Sequence, residues 1–309
     1  MTPPRRGNQA ASVRQRLLNL SRERGENFDY LLTRYGLERI LYRLAKSPYN
    51  DRFILKGAML FLLWGMDEHR LTRDADLLGF GESDTANLVS IFQDVCRVEV
   101  EDDGLVFDTE SVQAEAIREE MEYGGIRVTL RATIDRARIS LQIDVGFGDA
   151  VTPAAEEVDY PTLLTLPAPH LRIYPKETVI AEKFQAMVSL DMANSRMKDF
   201  YDIWVMANTF DFDGTLLKKA IERTFERRRT SVPEDLPIAL TARFFSEPAK
   251  VAQWRGFLLR NGAGLEISLE AVADVIARFV MPLCKAFQAG NKFALRWKAG
   301  GTWEEVVAS

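Results

Sequence analysis

The segment RLTRDADLLGFG holds two aspartates, Asp74 and Asp76, with one alanine between them. The run Leu71–Leu78 reads as a strand. Side chains on a strand alternate faces, so both carboxylates project the same way from Cα atoms about 6.5–7 Å apart. Arg70 and Thr72 share that face, while Leu71, Ala75 and Leu77 take the other. Two carboxylates so placed repel, and each raises the cost of ionising its neighbour. A hard divalent cation removes that cost, and magnesium (Mg2+), which takes oxygen ligands, suits the pair. Without an ion the pair reads as two solvated aspartates on an exposed strand.

Three more acids and two lysines extend the pattern. Asp144 in LQIDVGFGD lies on the polar face of another alternating strand and could complete a metal triad with Asp74 and Asp76. Arg127 and Arg131 lie on the polar face of its hairpin partner, where they could hold phosphate oxygens. Lys183 falls inside an apolar helical stripe of Val179, Ile180, Phe184, Met187 and Val188. It either snorkels to water or reaches a buried anionic site. Asp199 and Asp202, three apart on a helix, flank a core side made by Met197, Phe200, Tyr201 and Trp204. Upstream, Lys56, Gly57 and Ala58 interrupt the apolar run FILKGAMLFLLWG, where backbone amides could meet phosphate.

The elements that must position these groups follow from periodicity. Residues 10–46 read as two helices, the second weakened by Gly36, and Lys56–Met66 as a third, more buried one. SDTANLVSIFQDVC has a helix start and an apolar period. Residues 124–147 read as a β-hairpin turning near Asp135–Ala137. The proline-rich stretch Pro153–Pro175 reads as a connector, followed by helices over Glu177–Leu190, Met197–Asn208, Gly214–Arg227, Glu247–Leu259 and Leu269–Gln288. The expectation is a mixed α/β domain over 1–155 and a helical domain over 156–309 that completes the active site.

Composition narrows the class. The 309 residues are 47% hydrophobic and 28% charged, as in a globular protein with a sizeable core. No run approaches the roughly 18 apolar residues of a membrane span. The N-terminus has no apolar stretch behind its arginines, which argues against a signal peptide. Cys96 and Cys284 lie far apart, and the expectation is a cytoplasmic protein with buried thiols. Two histidines, His69 and His170, argue against a zinc site. A net charge of −5 argues against a dedicated DNA-binding protein but leaves local patches to meet RNA. The basic run Arg223, Arg227, Arg228 and Arg229 is one such patch, or else a solvated helix end.

In chain order, KGAMLFLLWG, RLTRDADLLGFG, IDVGFGD, YPKETVIAEKFQAMV and NSRMKDFYDIW resemble the nucleotidyltransferase toxins of the AbiEii/AbiGii type. The resemblance runs from Ser12 to Trp204. It implies an α+β fold similar to the DNA polymerase β-like nucleotidyltransferases: a mixed sheet flanked by helices, followed here by a helical C-terminal part. By the same resemblance Asp74 and Asp76 match the metal-holding DxD, and Asp144 the third acid. Lys183 matches the family lysine, and Asp199 the acid of the last motif. Lys56, Gly57 and Ala58 match the glycine-containing segment, with alanine where related families often carry glycine or serine. Together with Thr72 and Asp202 they are expected to contact nucleotide. The implied activity is magnesium-dependent transfer from an NTP to an acceptor hydroxyl, with the tRNA 3′ end as leading acceptor and a cognate antitoxin as protein partner. A protein hydroxyl acceptor, and an NTP-binding regulator without turnover, are the alternatives.

Overall fold

The computed structural model describes residues 6–66, 72–117, 124–261 and 265–305. His69, Arg70 and Leu71 lie outside them. The described chain forms two compact units, one of residues 6–66, 72–148 and 156–173, the other of 149–155, 174–261 and 265–305.

The first unit runs α1 (Arg6–Arg24), α2 (Phe28–Lys46), β1 (Phe53–Lys56), α3 (Met59–Leu63), β2 (Asp74–Gly79), α4 (Thr85–Arg97), β3 (Leu105–Ile117), β4 (Gly125–Ile134), β5 (Ala137–Phe147), β6 (Glu156–Asp159) and β7 (His170–Ile173). Its seven strands make one mixed sheet in the order β3-β4-β5-β2-β1-β7-β6. β2 runs parallel to β5, and β1 parallel to β7, while the other neighbours are antiparallel.

Two expectations are corrected here. Lys56–Met66 is not a single helix: FILK is a strand, Gly57 turns the chain at φ +74°, and only Met59–Leu63 is helical. A short apolar run has no period that separates a buried strand from a buried helix. The connector is also not structureless, because it supplies β6 and β7 at one edge of the sheet. The hairpin is as read, with β4 and β5 in continuous register from Ile126↔Val145 to Ile134↔Ala137.

Strand alternation sets the core. Ala75, Leu77, Val128, Leu130, Leu141, Ile143 and Val145 are buried on one face of the sheet. Helix α2 packs on β5 at Gly36, where an added Cβ would lie 2.8 Å from a Leu141 methyl. The glycine that weakens the helix by about 1 kcal/mol therefore permits the close approach. Beside it, Asp103 is 2% exposed and gathers Arg39 (3.1 Å) and Arg43 (2.6 Å) from α2.

The second unit runs α5 (Lys176–Leu190), α6 (Met197–Thr209), β8 (Phe212–Asp213), α7 (Gly214–Arg227), α8 (Ala242–Phe245), α9 (Pro248–Asn261), α10 (Leu269–Gln288), β9 (Leu295–Trp297) and β10 (Trp303–Glu305). The five helices read from periodicity are all present, within about two residues at their ends. The small sheet β10-β9-β8 carries the buried Trp297, whose indole N–H donates to the Ala207 carbonyl at 2.7 Å. Cys284 is buried and Cys96 half-buried, both as free thiols that burial pushes up to about 12. Among the described residues no helix is long and apolar enough to cross a membrane.

Glu38 yields a pH prediction. Burial pushes its carboxyl up to about 7, against the lowering effect of the Leu163 N–H it accepts and of Arg39 and Arg34. The folded state therefore holds this proton to higher pH than the unfolded chain does. Glu38 contributes its full stability below the ordinary value of 4.5 and loses it as pH rises to about 7. That loss is on the order of 3 kcal/mol. The stability difference between wild type and Glu38→Gln, from urea unfolding, should shrink by that amount between pH 4.5 and 7.5. A difference independent of pH would show that the carboxyl ionises normally.

Candidate active site

The candidate residues of the first unit meet through sheet register. Asp76 pairs with Lys56 across β1 and with Asp144 across β5, and Asp144 pairs with Arg127 across β4. Glu115 on β3 continues the line. One transverse row of the sheet therefore reads Lys56, Asp76, Asp144, Arg127, Glu115. Adjacent in-register residues share a face. Two residues along β2, the next row reads Asp74, Gln142, Thr129, Gln113. All these side chains are on the face opposite the apolar core. Asp74, Asp76 and Asp144 are half-buried there.

Asp76 is fixed from the β1 side. An added Cβ on Gly57 would fall 1.8 Å from the Asp76 Oδ2 and 2.6 Å from its Cγ. The carboxylate thus lies directly on the glycine backbone, which also needs a positive φ that L side chains rarely adopt. Ala58 is buried, so the position after the glycine faces protein. Asp74 accepts a short hydrogen bond from the Thr72 hydroxyl.

Asp144 is held differently. Arg127 Nε and Nη2 reach its two oxygens at 2.9 Å each, a bidentate fork, and the Gln142 amide lies 3.3 Å from both. The Arg127 guanidinium is raised above its ordinary range, first by the hydrogen bond to Asp144. Among the described residues no three His, Cys, Asp or Glu side chains are gathered as a metal ion requires. Asp144 turns both its oxygens to Arg127. Asp74 and Asp76 remain a same-face pair of oxygen donors, with Asp76 seated on Gly57, and this donor set fits a hard divalent ion.

The remaining candidates form a separate cluster in the second unit. Lys183 Nζ on α5 lies 2.8 Å from Asp199 Oδ1 and 2.7 Å from Asp202 Oδ2 on α6. Both carboxylates are fully buried, so they do not flank the helix as surface charges. Arg196 Nε reaches the other Asp199 oxygen at 2.7 Å. Burial alone would push the Asp199 carboxyl up, but Lys183 and Arg196 outweigh it and hold it below the ordinary range. Lys183 does not simply snorkel to water: it enters the apolar stripe to neutralise two buried acids. Sequence reading missed Arg196, although its spacing of three from Asp199 on a helix was the available signal.

The basic run is also corrected. Arg228 is not a solvated helix end, because its guanidinium binds Asp149 at 2.9 Å and the Gln185 side-chain oxygen at 2.9 Å, with Glu182 at 3.4 Å. Arg223 pairs with Glu226 on the surface.

Two substitutions test these arrangements. Gly57→Ala must displace the Asp76 carboxylate, and a misplacement near 1 Å can cost on the order of 100-fold in rate. Nucleotidyl transfer should fall by that order with circular dichroism unchanged, and wild-type rates would refute the contact. Lys183→Met removes the cation shared by two buried carboxylates, which should destabilise the protein by about 3–5 kcal/mol in urea unfolding. A loss below about 1 kcal/mol would be the value of an exposed pair instead.

Residues 39–278 match the family described as "Nucleotidyl transferase AbiEii toxin, Type IV TA system". Among curated proteins none matches the chain. Two solved structures from Helicobacter pylori are similar to it. One is JHP933, 16% identical with a TM-score of 0.45 over 82% of this chain and 90% of that one. The other, provisionally assigned as a nucleotidyltransferase, is 15% identical with a TM-score of 0.44 over 82% and 94%. The family match spans most of the chain and includes the DxD strand, the glycine turn, Asp144 and the Lys183 cluster. This chain belongs to the AbiEii family of nucleotidyltransferase toxins of type IV toxin–antitoxin systems.

Proposed function

We propose that the protein transfers a nucleotidyl group from an NTP to the 3′-terminal hydroxyl of tRNA, with magnesium at Asp74 and Asp76. The observation that carries this reading is Asp76 seated on Gly57 and in register with Asp144, with Asp74 on the same face. Held by Asp74 and Asp76, a divalent ion would offset the negative charge that develops on the phosphates during transfer.

The chain's own residues supply the rest. The acceptor oxygen attacks the α-phosphorus, the bond to the β-phosphate oxygen breaks, and pyrophosphate leaves. Lys56 is the cation nearest Asp76 in the row, on the strand that leads into the Gly57 turn. It is suited to phosphate oxygens. Asp144 is the carboxylate beside Asp76 that would take the hydroxyl proton or a second metal, and either role requires it to give up part of the Arg127 fork. Lys183, its amine held by Asp199 and Asp202, is the lysine of the family motif and a compact cation of the kind that suits phosphate. The antitoxin is the expected protein partner of a toxin of this family.

The test is label transfer from each NTP to total tRNA by wild type, Asp74→Asn and Asp76→Asn. Losing a metal-holding carboxylate should lower the rate by orders of magnitude. Chelation should do the same, and periodate oxidation of the tRNA 3′ end should abolish transfer. Equal transfer by wild type and Asp76→Asn would remove the site. Label on protein rather than tRNA would replace the acceptor.

A further inference from the structure

Beyond the DxD carboxylates lies a cleft of about 570 Å3 within the first unit, lined by polar residues of β3, β4 and β5 and by Asp29, Leu32 and Thr33 of α2. β2 begins opposite Gln142, so residues 137–141 of β5 extend past its start. The cleft lies along this extension. Its floor carries Gln113 and Thr129, from the row that begins at Asp74, with Gln142 between them and that aspartate. One register step further, Ser140 pairs with Arg131. Arg73, Arg131 and Arg138 line the cleft, all exposed, against a single lining carboxylate, Asp29. Arg131 also touches the exposed Asp108 at 3.2 Å, a contact that costs little to exchange.

We infer that this arginine-lined cleft binds the phosphodiester backbone of the acceptor RNA strand and leads its 3′ end to Asp74 and Asp76. The inference rests on the tRNA reading above and deepens it. Position favours RNA over the NTP triphosphate. Lys56, Gly57 and Ala58 approach the carboxylates from the β1 side, and the cleft from the β5-β4-β3 side. A two-substrate transfer needs phosphate-binding groups on both flanks of the reacting centre. The arginines line the cleft together with the hydroxyl and amide side chains of Ser111, Ser140, Thr129, Gln113 and Gln142. Those are partners for sugars and base edges, as a strand in contact with a sheet requires. A local surplus of arginine in a chain of net charge −5 adds to the contrast.

The experiment measures binding of total tRNA to the full-length protein without NTP, over a range of salt, and separately binding of a fluorescent NTP with magnesium. The triple variant Arg73→Ser/Arg131→Ser/Arg138→Ser should bind tRNA at least tenfold more weakly. Its log K against log salt should be shallower by roughly 2, since each single-strand phosphate contact contributes about 0.7. NTP binding should be unchanged. A control that removes equal charge from the second unit, Arg243→Ser/Arg255→Ser/Arg260→Ser, should bind tRNA as wild type does. Unchanged affinity and slope in the cleft variant would overturn the inference. So would loss of NTP binding, or an equal loss in the control. Wild-type protein that binds no tRNA would remove the acceptor reading and the cleft together. Intact tRNA binding with an unaffected cleft variant would remove the cleft alone.

Discussion

Three like charges on one sheet face are the constraint around which the first unit is organised. Asp74 and Asp76 alternate along β2, and the parallel pairing of β2 with β5 brings Asp144 beside Asp76. Strand spacing of about 4.8 Å puts such neighbours close enough to repel strongly when both are ionised. The fold answers at both ends of the row. Lys56 stands on one side, and the Arg127 fork on the other. Between them lie Asp74 and Asp76, where the divalent ion of the proposed function would complete the balance. The glycine turn follows from the same geometry, since Asp76 occupies the volume a side chain at position 57 would need.

The second unit solves an electrostatic problem of the opposite kind. There two carboxylates are fully buried, and burial of an unpaired charge is costly. One lysine from α5 meets both, and Arg196 adds a second contact to Asp199. The amine is thereby held between two carboxylates. Nearby in the chain, Arg228 is consumed by Asp149, Gln185 and Glu182, so the basic run that ends α7 is partly internal structure.

Much of this was legible in the residues. The alternation around Asp74 and Asp76, the β4–β5 hairpin and the C-terminal helices all carry a clear period, and the structure contains each of them. The apolar run at Phe53–Leu63 was not legible, because a fully buried strand and a buried helix look alike over so few residues. β6 and β7 were hidden by prolines that mark edges as readily as loops. β3 was missed because LVFDTESVQAEAI mixes apolar and polar residues without sustained alternation, and its register shifts near its middle. No local signal could show that Lys56, Asp76, Asp144 and Arg127 form one row, since register between strands distant in the chain is a tertiary fact. Gly57 was legible as a motif residue, but its contact with Asp76 was not.

The central claim is that Asp74 and Asp76 bind a divalent ion on the open face of the sheet. The most direct measurement is a crystal structure of the protein grown with manganese and a non-hydrolysable NTP, with anomalous difference data collected at the manganese edge. The account predicts a peak within coordination distance of both carboxylates and in contact with the nucleotide's phosphates. A bound nucleotide with its metal elsewhere, and no peak beside Asp74 and Asp76, would contradict it.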